Sequence, residues 1–204
     1  MSDFKLFWYH WRHFLSIENK ILETFKYVEL SENNYSTYSI EFQQIILLSA
    51  SEMESVLKQI CLELDSNFKL ESGIGKCSNF IKTKDLTLFN KLNNSSVHID
   101  LPGYPNLVLK PFLVTRTEDP NGIKSDWQVV YENLKHYREE GTFKKAKLKY
   151  ALDSLAALFS VLLIFLEVLQ KTNSLIIDWQ EYHHIMPKLF VFNAIQPIIS
   201  GGTY

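Results

Sequence analysis

The chain has 204 residues, with 46% hydrophobic and 22% charged side chains, so it is globular rather than disordered and long enough for one ordinary core. Lys and Arg total 21 against 23 Asp and Glu, a net charge of -2, which excludes a global basic field for nucleic acid and leaves only local patches. Two cysteines, Cys61 and Cys77, suit a reduced cytoplasmic protein and exclude a disulfide framework.

From the N-terminus, residues 4–29 place Phe7, Trp11, Phe14, Ile17, Ile21, Leu22 and Phe25 at helical steps. His10 and His13 stand three apart there, a spacing that can hold a metal, but no further ligand stands at a telling spacing and no metal site is expected. The segment 31–39, SENNYSTYS, breaks the pattern, with Thr37 or Ser39 as a cap for the next helix. Over 40–64 the apolar stripe is the clearest in the chain: Phe42, Ile45, Ile46, Ser49, Met53, Val56, Leu57, Ile60 and Leu64. Cys61 reads as a buried small residue of that region.

Residues 70–78, LESGIGKCS, read as a loop with Gly73 and Gly75. It is not a phosphate-binding loop, since a preceding strand and the Lys-Ser/Thr ending are missing, and it sets Cys77 beside Lys76 as a candidate reactive thiol. One or two short helices follow over 79–93. A Pro-rich insertion spans 94–125, holding Pro102, Pro105, Pro111 and Pro120, in which VHIDL (97–101) and NLVLKPF (106–112) flank a Pro-Gly turn and predict a small β-hairpin.

Asp126 is expected to cap a helix running to about 140, with Trp127, Val130, Tyr131, Leu134 and Tyr137 on its core face. Winding at about 100° per residue turns His136 roughly 160–180° from Trp127 and Leu134, with Asn133 one turn before it. A long helix is expected from about 143 to 171. It starts on a basic turn and continues as ALDSLAALFSVLLIFLEVL, whose charge-free core, 154–166, is only 13 residues. That is short for a membrane span, and the helix reads as the centre of a bundle. From Tyr131 to Tyr150 six basic residues face three acidic ones, the strongest local cationic excess and the candidate phosphate-contacting patch. The tail, 173–204, carries a possible strand at 188–193 and adjacent His183 and His184, which point apart in either regular structure and form no joint metal site.

The run from Asp126 to about residue 162 resembles a bacterial group of HEPN-like (higher eukaryote and prokaryote nucleotide-binding) helical domains. Their pattern of Trp, Tyr-x-Asn-x-x-Lys-His-x-Arg, a Phe and an Ala/Leu-rich helix falls here on Trp127, Tyr131, Asn133, Lys135, His136, Arg138, Phe143 and Ala146. The helix at 40–64 looks like the group's second helix, with Glu52 or Glu54 and Lys58, and Pro111-Phe112 fits the connection. The likeness covers residues 40–170.

The resemblance implies a mainly α, up-and-down bundle of four to five helices with a small β-hairpin, forming one domain over 1–172 and dimerising around a polar cleft. It also implies a metal-independent endoribonuclease, a toxin or phage-defence effector, that needs no cofactor. His136 would be the acid/base, Asn133 would orient it or bind phosphate, and Arg138 with Lys135 would hold the phosphate. Lys144, Lys145 and Lys147 would extend the RNA contact. The family's catalytic Arg precedes its His by about five residues, where this chain has Tyr131. The alternative is therefore a non-catalytic module binding RNA, a nucleotide or a partner such as an antitoxin. No membrane partner is expected.

Overall fold

The computed structural model describes residues 3–70, 73–99, 101–104, 107–114, 124–137, 139–173 and 186–191. It is a mainly helical fold with a small antiparallel sheet, in the order α1 (Asp3–Thr24), α2 (Ile40–Leu64), α3 (Ile74–Lys84), α4 (Leu86–Asn93), β1 (Val97–Ile99), β2 (Val108–Leu109), α5 (Asp126–His136), α6 (Glu140–Phe143), α7 (Leu148–Asn173) and β3 (Phe190–Val191). The expected mainly α class with a hairpin appendage is what the chain adopts.

Helix α7 is the axis, buried on nearly every side from Leu148 to Leu169, which explains an apolar run without amphipathic relief. By length and composition it could cross a membrane, but 94% of its most apolar window is enclosed by the protein's own helices. Its internal hydroxyls are satisfied: Ser154 donates to the Ala151 carbonyl at 3.0 Å, and Ser160 to that of Ala156 at 2.9 Å while accepting from Ser95 at 3.1 Å. Against it lie α1, through Phe7, Trp11 and Phe14, and α2, through the stripe read from the sequence. Of that stripe, Phe42 to Ile60 is buried and Leu64 is half-buried. Ser39 caps α2, accepting from the Phe42 amide at 3.1 Å.

The hairpin forms as predicted, with Val97 opposite Leu109 and His98 opposite Val108. The tail returns to it: β3 pairs with the other edge of β1, and Leu189 and Phe190 are buried in the core. Glu18, itself buried on α1, holds this return by accepting the amides of Lys188 at 3.0 Å and Leu189 at 2.8 Å.

Four boundaries differ from the sequence reading. Helix α1 ends at Thr24 rather than 29, closing in a turn where Tyr27 donates its amide to the Thr24 carbonyl at 3.0 Å. The expected loop at 70–78 ends at Gly73, the N-cap of α3, so Cys77 is a buried helical residue. Ser125, not Asp126, is the N-cap of α5; its amide donates to Gln128 Oε1 at 2.9 Å. The stretch from Asp126 to Asn173 is broken twice: Tyr137 is extended (φ -124°, ψ 99°), and α7 starts at Leu148 rather than 143. The second break has a cause in the fold. The backbone of 146–149 bonds across to 35–39, with Leu148 N–H to Thr37 O at 2.8 Å and Ser39 N–H to Ala146 O at 3.3 Å, diverting the chain from a helical path.

Candidate functional site

A cleft of about 520 Å³ opens between α2, α3, α4 and α5, within the roughly 300–1,000 Å³ span of small-molecule sites. One wall is α5, where Gln128, Tyr131, Glu132, Lys135 and His136 reach it along the length of the helix. The buried residues Trp127, Val130 and Leu134 fasten that helix to the core, and Trp127 Nε1 donates to the Pro111 carbonyl at 2.7 Å. This bond brings the Pro-rich insertion to the site, and Phe112 lines the cleft beside it. The floor is apolar: Leu57, Ile74, Phe89 and Leu92 join Phe112 and Tyr131.

The opposite wall is the first turn of α3, Gly73 to Lys76, with Ser78 and Asn79. Gly73 contributes no side-chain cap, so that helix presents an uncapped N-terminal turn to the cleft. Both carboxylates in the lining are already engaged. Glu54 pairs with Lys58 at 2.8 Å, and Glu132 takes Lys124 through both oxygens at 2.7 and 2.8 Å. Lys76 and Lys135 have no carboxylate partner among the described residues; Lys135 Nζ sits 5.6 Å from the centre of the Tyr131 ring. The cleft therefore carries an uncompensated positive charge over an aromatic floor, in a chain of net negative charge.

The residues predicted from sequence divide between this cleft and elsewhere. His136 and Lys135 are exposed at its edge. Asn133, one turn before His136 on the same helix, is half-buried and does not line it. Lys144 and Lys145 are exposed in the α6–α7 connection and Lys147 is half-buried at the bridge to Tyr38; none lines the cleft. Tyr137, expected in the core, is 61% exposed because α5 ends at His136. Arg138, His183 and His184 lie outside the described residues. Lys76, Lys124 and Asn79 were not singled out from sequence as site residues; the Gly-Ile-Gly-Lys run is the one signal that could have drawn attention to Lys76.

A second constellation joins α1 to α2. The Glu52 carboxylate accepts from His10 Nδ1 at 2.5 Å and from His13 Nδ1 at 2.6 Å. Burial pushes the Glu52 carboxyl up, but the two histidine hydrogen bonds outweigh it and hold the group below its ordinary range. The i, i+3 histidines share this one carboxylate, and no group of three or more His, Cys, Asp and Glu side chains that could hold a metal ion occurs among the described residues.

Comparison with protein-family models, curated proteins and solved structures finds no match to this chain.

Proposed function

We propose that the cleft takes single-stranded RNA and that the protein is a metal-independent endoribonuclease of HEPN-like character, acting as a toxin or phage-defence effector. The observation that carries this reading is the position of His136 and Lys135 at the edge of an aromatic-floored, cationic cleft. Aromatic rings suit a splayed base, and Lys76 and Lys135 suit the phosphate beside it. Neutral His136 takes the 2′-hydroxyl proton; the 2′-oxygen attacks phosphorus, and the 5′-oxygen leaves with a proton from water. The product is a 2′,3′-cyclic phosphate. Lys135, lying over the ring of Tyr131, supplies the charge that the family's arginine would carry at that position. The proposal includes a homodimer that brings two His136 edges together, and a cognate protein partner of the antitoxin type.

One observation favours the rival reading, a non-catalytic module for RNA, nucleotide or partner protein. His136 has no hydrogen-bonding partner among the described residues to orient its ring, which a positioned base ordinarily has. Incubating the purified chain with total RNA and tRNA in EDTA separates the two. The enzyme reading expects fragments ending in 2′,3′-cyclic phosphate; intact RNA that is nonetheless bound would establish the module.

A further inference from the structure

Gln128 stands in the first turn of α5, half-buried, and its side chain serves both the helix and the cleft. Its Oε1 accepts the Ser125 amide at 2.9 Å, which closes the start of the helix, and the residue also lines the cleft. That bond fixes the sense of the amide. A backbone N–H can donate only to the carbonyl oxygen, so Nε2 is the end left over, and it bonds no other described residue. Gln128 therefore offers the cleft a donor. A glutamine with both ends open reads adenine through N6 and N7 together. Here the oxygen that would meet the amino group is already taken. The rest of the lining leans the same way. Glu54 and Glu132, the carboxylates that could accept from an amino group, already hold Lys58 and Lys124, while Lys76 and Lys135 can only donate. Asn79 and Asn93 are exposed, and no side-chain hydrogen bond to a described residue turns either in a set direction. Tyr131, one turn further along α5, puts part of the aromatic floor beside the Gln128 amide.

We infer that Gln128 is the base-reading residue of the cleft and selects a keto base, uracil or guanine, over an amino base, cytosine or adenine. The inference rests on the reading of the cleft as an RNA site. A base lying on the aromatic floor turns its edge to Gln128, and Nε2–H donates to O4 of uracil or O6 of guanine. Cytosine and adenine carry an amino group at that position, so donor meets donor and a hydrogen bond is lost. Gln128 selects the base and takes no part in the proton transfer at His136.

The test measures the affinity of the full-length chain for 2′-fluoro hexamers of uridine and of cytidine, which lack the 2′-hydroxyl that cleavage needs. The two bases match in size and differ in the group at the 4-position. Wild type should bind the uridine hexamer roughly tenfold tighter. Gln128→Glu keeps an acceptor for the Ser125 amide, so its melting temperature should stay close to that of wild type. It replaces the donor by a carboxylate oxygen, so the preference should invert toward the cytidine hexamer, whose N4 donates to it. The added negative charge weakens both complexes alike and leaves their ratio as the readout. A residue that merely caps α5 would leave that ratio where it was. Equal wild-type affinities, a wild-type preference for cytidine, or a ratio unmoved by Gln128→Glu would overturn the inference and leave the RNA reading standing. Binding of neither hexamer would overturn that reading and the inference together. The wild-type ratio decides the matter even where the variant folds poorly.

Discussion

Replacing Glu52 by Ala removes the one carboxylate that two α1 histidines share, and the two arms of that contact differ sharply in exposure. The His10 side chain is 6% exposed and that of Glu52 8%, so this arm is dry; the His13 side chain is 40% exposed. Truncating one member of a dry charged hydrogen bond strands the other, at a cost of about 3 kcal/mol. The wet arm adds only about 0.5 kcal/mol after solvent screening. For a chain of this size each kcal/mol lowers the melting midpoint by roughly 2–4 °C, so Glu52→Ala should melt about 7–14 °C lower. His13→Ala should cost under about 1 kcal/mol. The pH dependence has a definite sign. Because the folded carboxyl is held below its unfolded value of about 4.3, its contribution is complete above that pH and drains as pH falls through the folded value. The stability gap between wild type and Glu52→Ala should therefore narrow under acid. Thermal and urea melts from pH 7 to pH 3 read all of this. A loss below about 1 kcal/mol, equal costs for Glu52→Ala and His13→Ala, or a gap that widens in acid would refute the reasoning.

Three further outcomes follow from named contacts. Glu18→Ala strips the acceptor from the Lys188 and Leu189 amides; it should cost about 2 kcal/mol, and the amides of 188–189 should exchange faster while those of α7 do not. Trp127→Phe keeps the ring packing but leaves the Pro111 carbonyl without its indole donor, for a loss of about 1–3 kcal/mol in a denaturant titration. Removing Lys76 and Lys135 together should weaken single-stranded RNA binding and shallow the slope of log affinity against log salt by about 1.4; an unchanged slope would place the phosphates elsewhere.

The parts of this fold that the sequence discloses are those in which one element's pattern decides its fate. The 42–60 stripe is read correctly because the 3.6-residue period alone sets which side faces α7. The hairpin is legible because a Pro-Gly turn separates two apolar runs, and the central helix because apolar residues occupy nearly every side of it. The miss at 143–148 comes from long-range backbone bonds to 35–39, which no local propensity encodes. Residues three apart on α5 share a face, yet Asn133 is left out of the cleft that His136 reaches. The other wall comes from α3, which starts 52 residues earlier in the chain than α5. Likewise His10 and His13 were visible as a pair and Glu52 as a stripe residue, but their union across 42 and 39 positions is a product of packing.

The most direct test of the central claim compares wild-type and His136→Ala chains, matched in melting temperature, for RNA cleavage in EDTA and for RNA affinity. Acid/base chemistry at His136 predicts a cleavage rate lower by about 10²–10⁴ in the variant with affinity nearly unchanged. Equal cleavage by both chains would contradict the account.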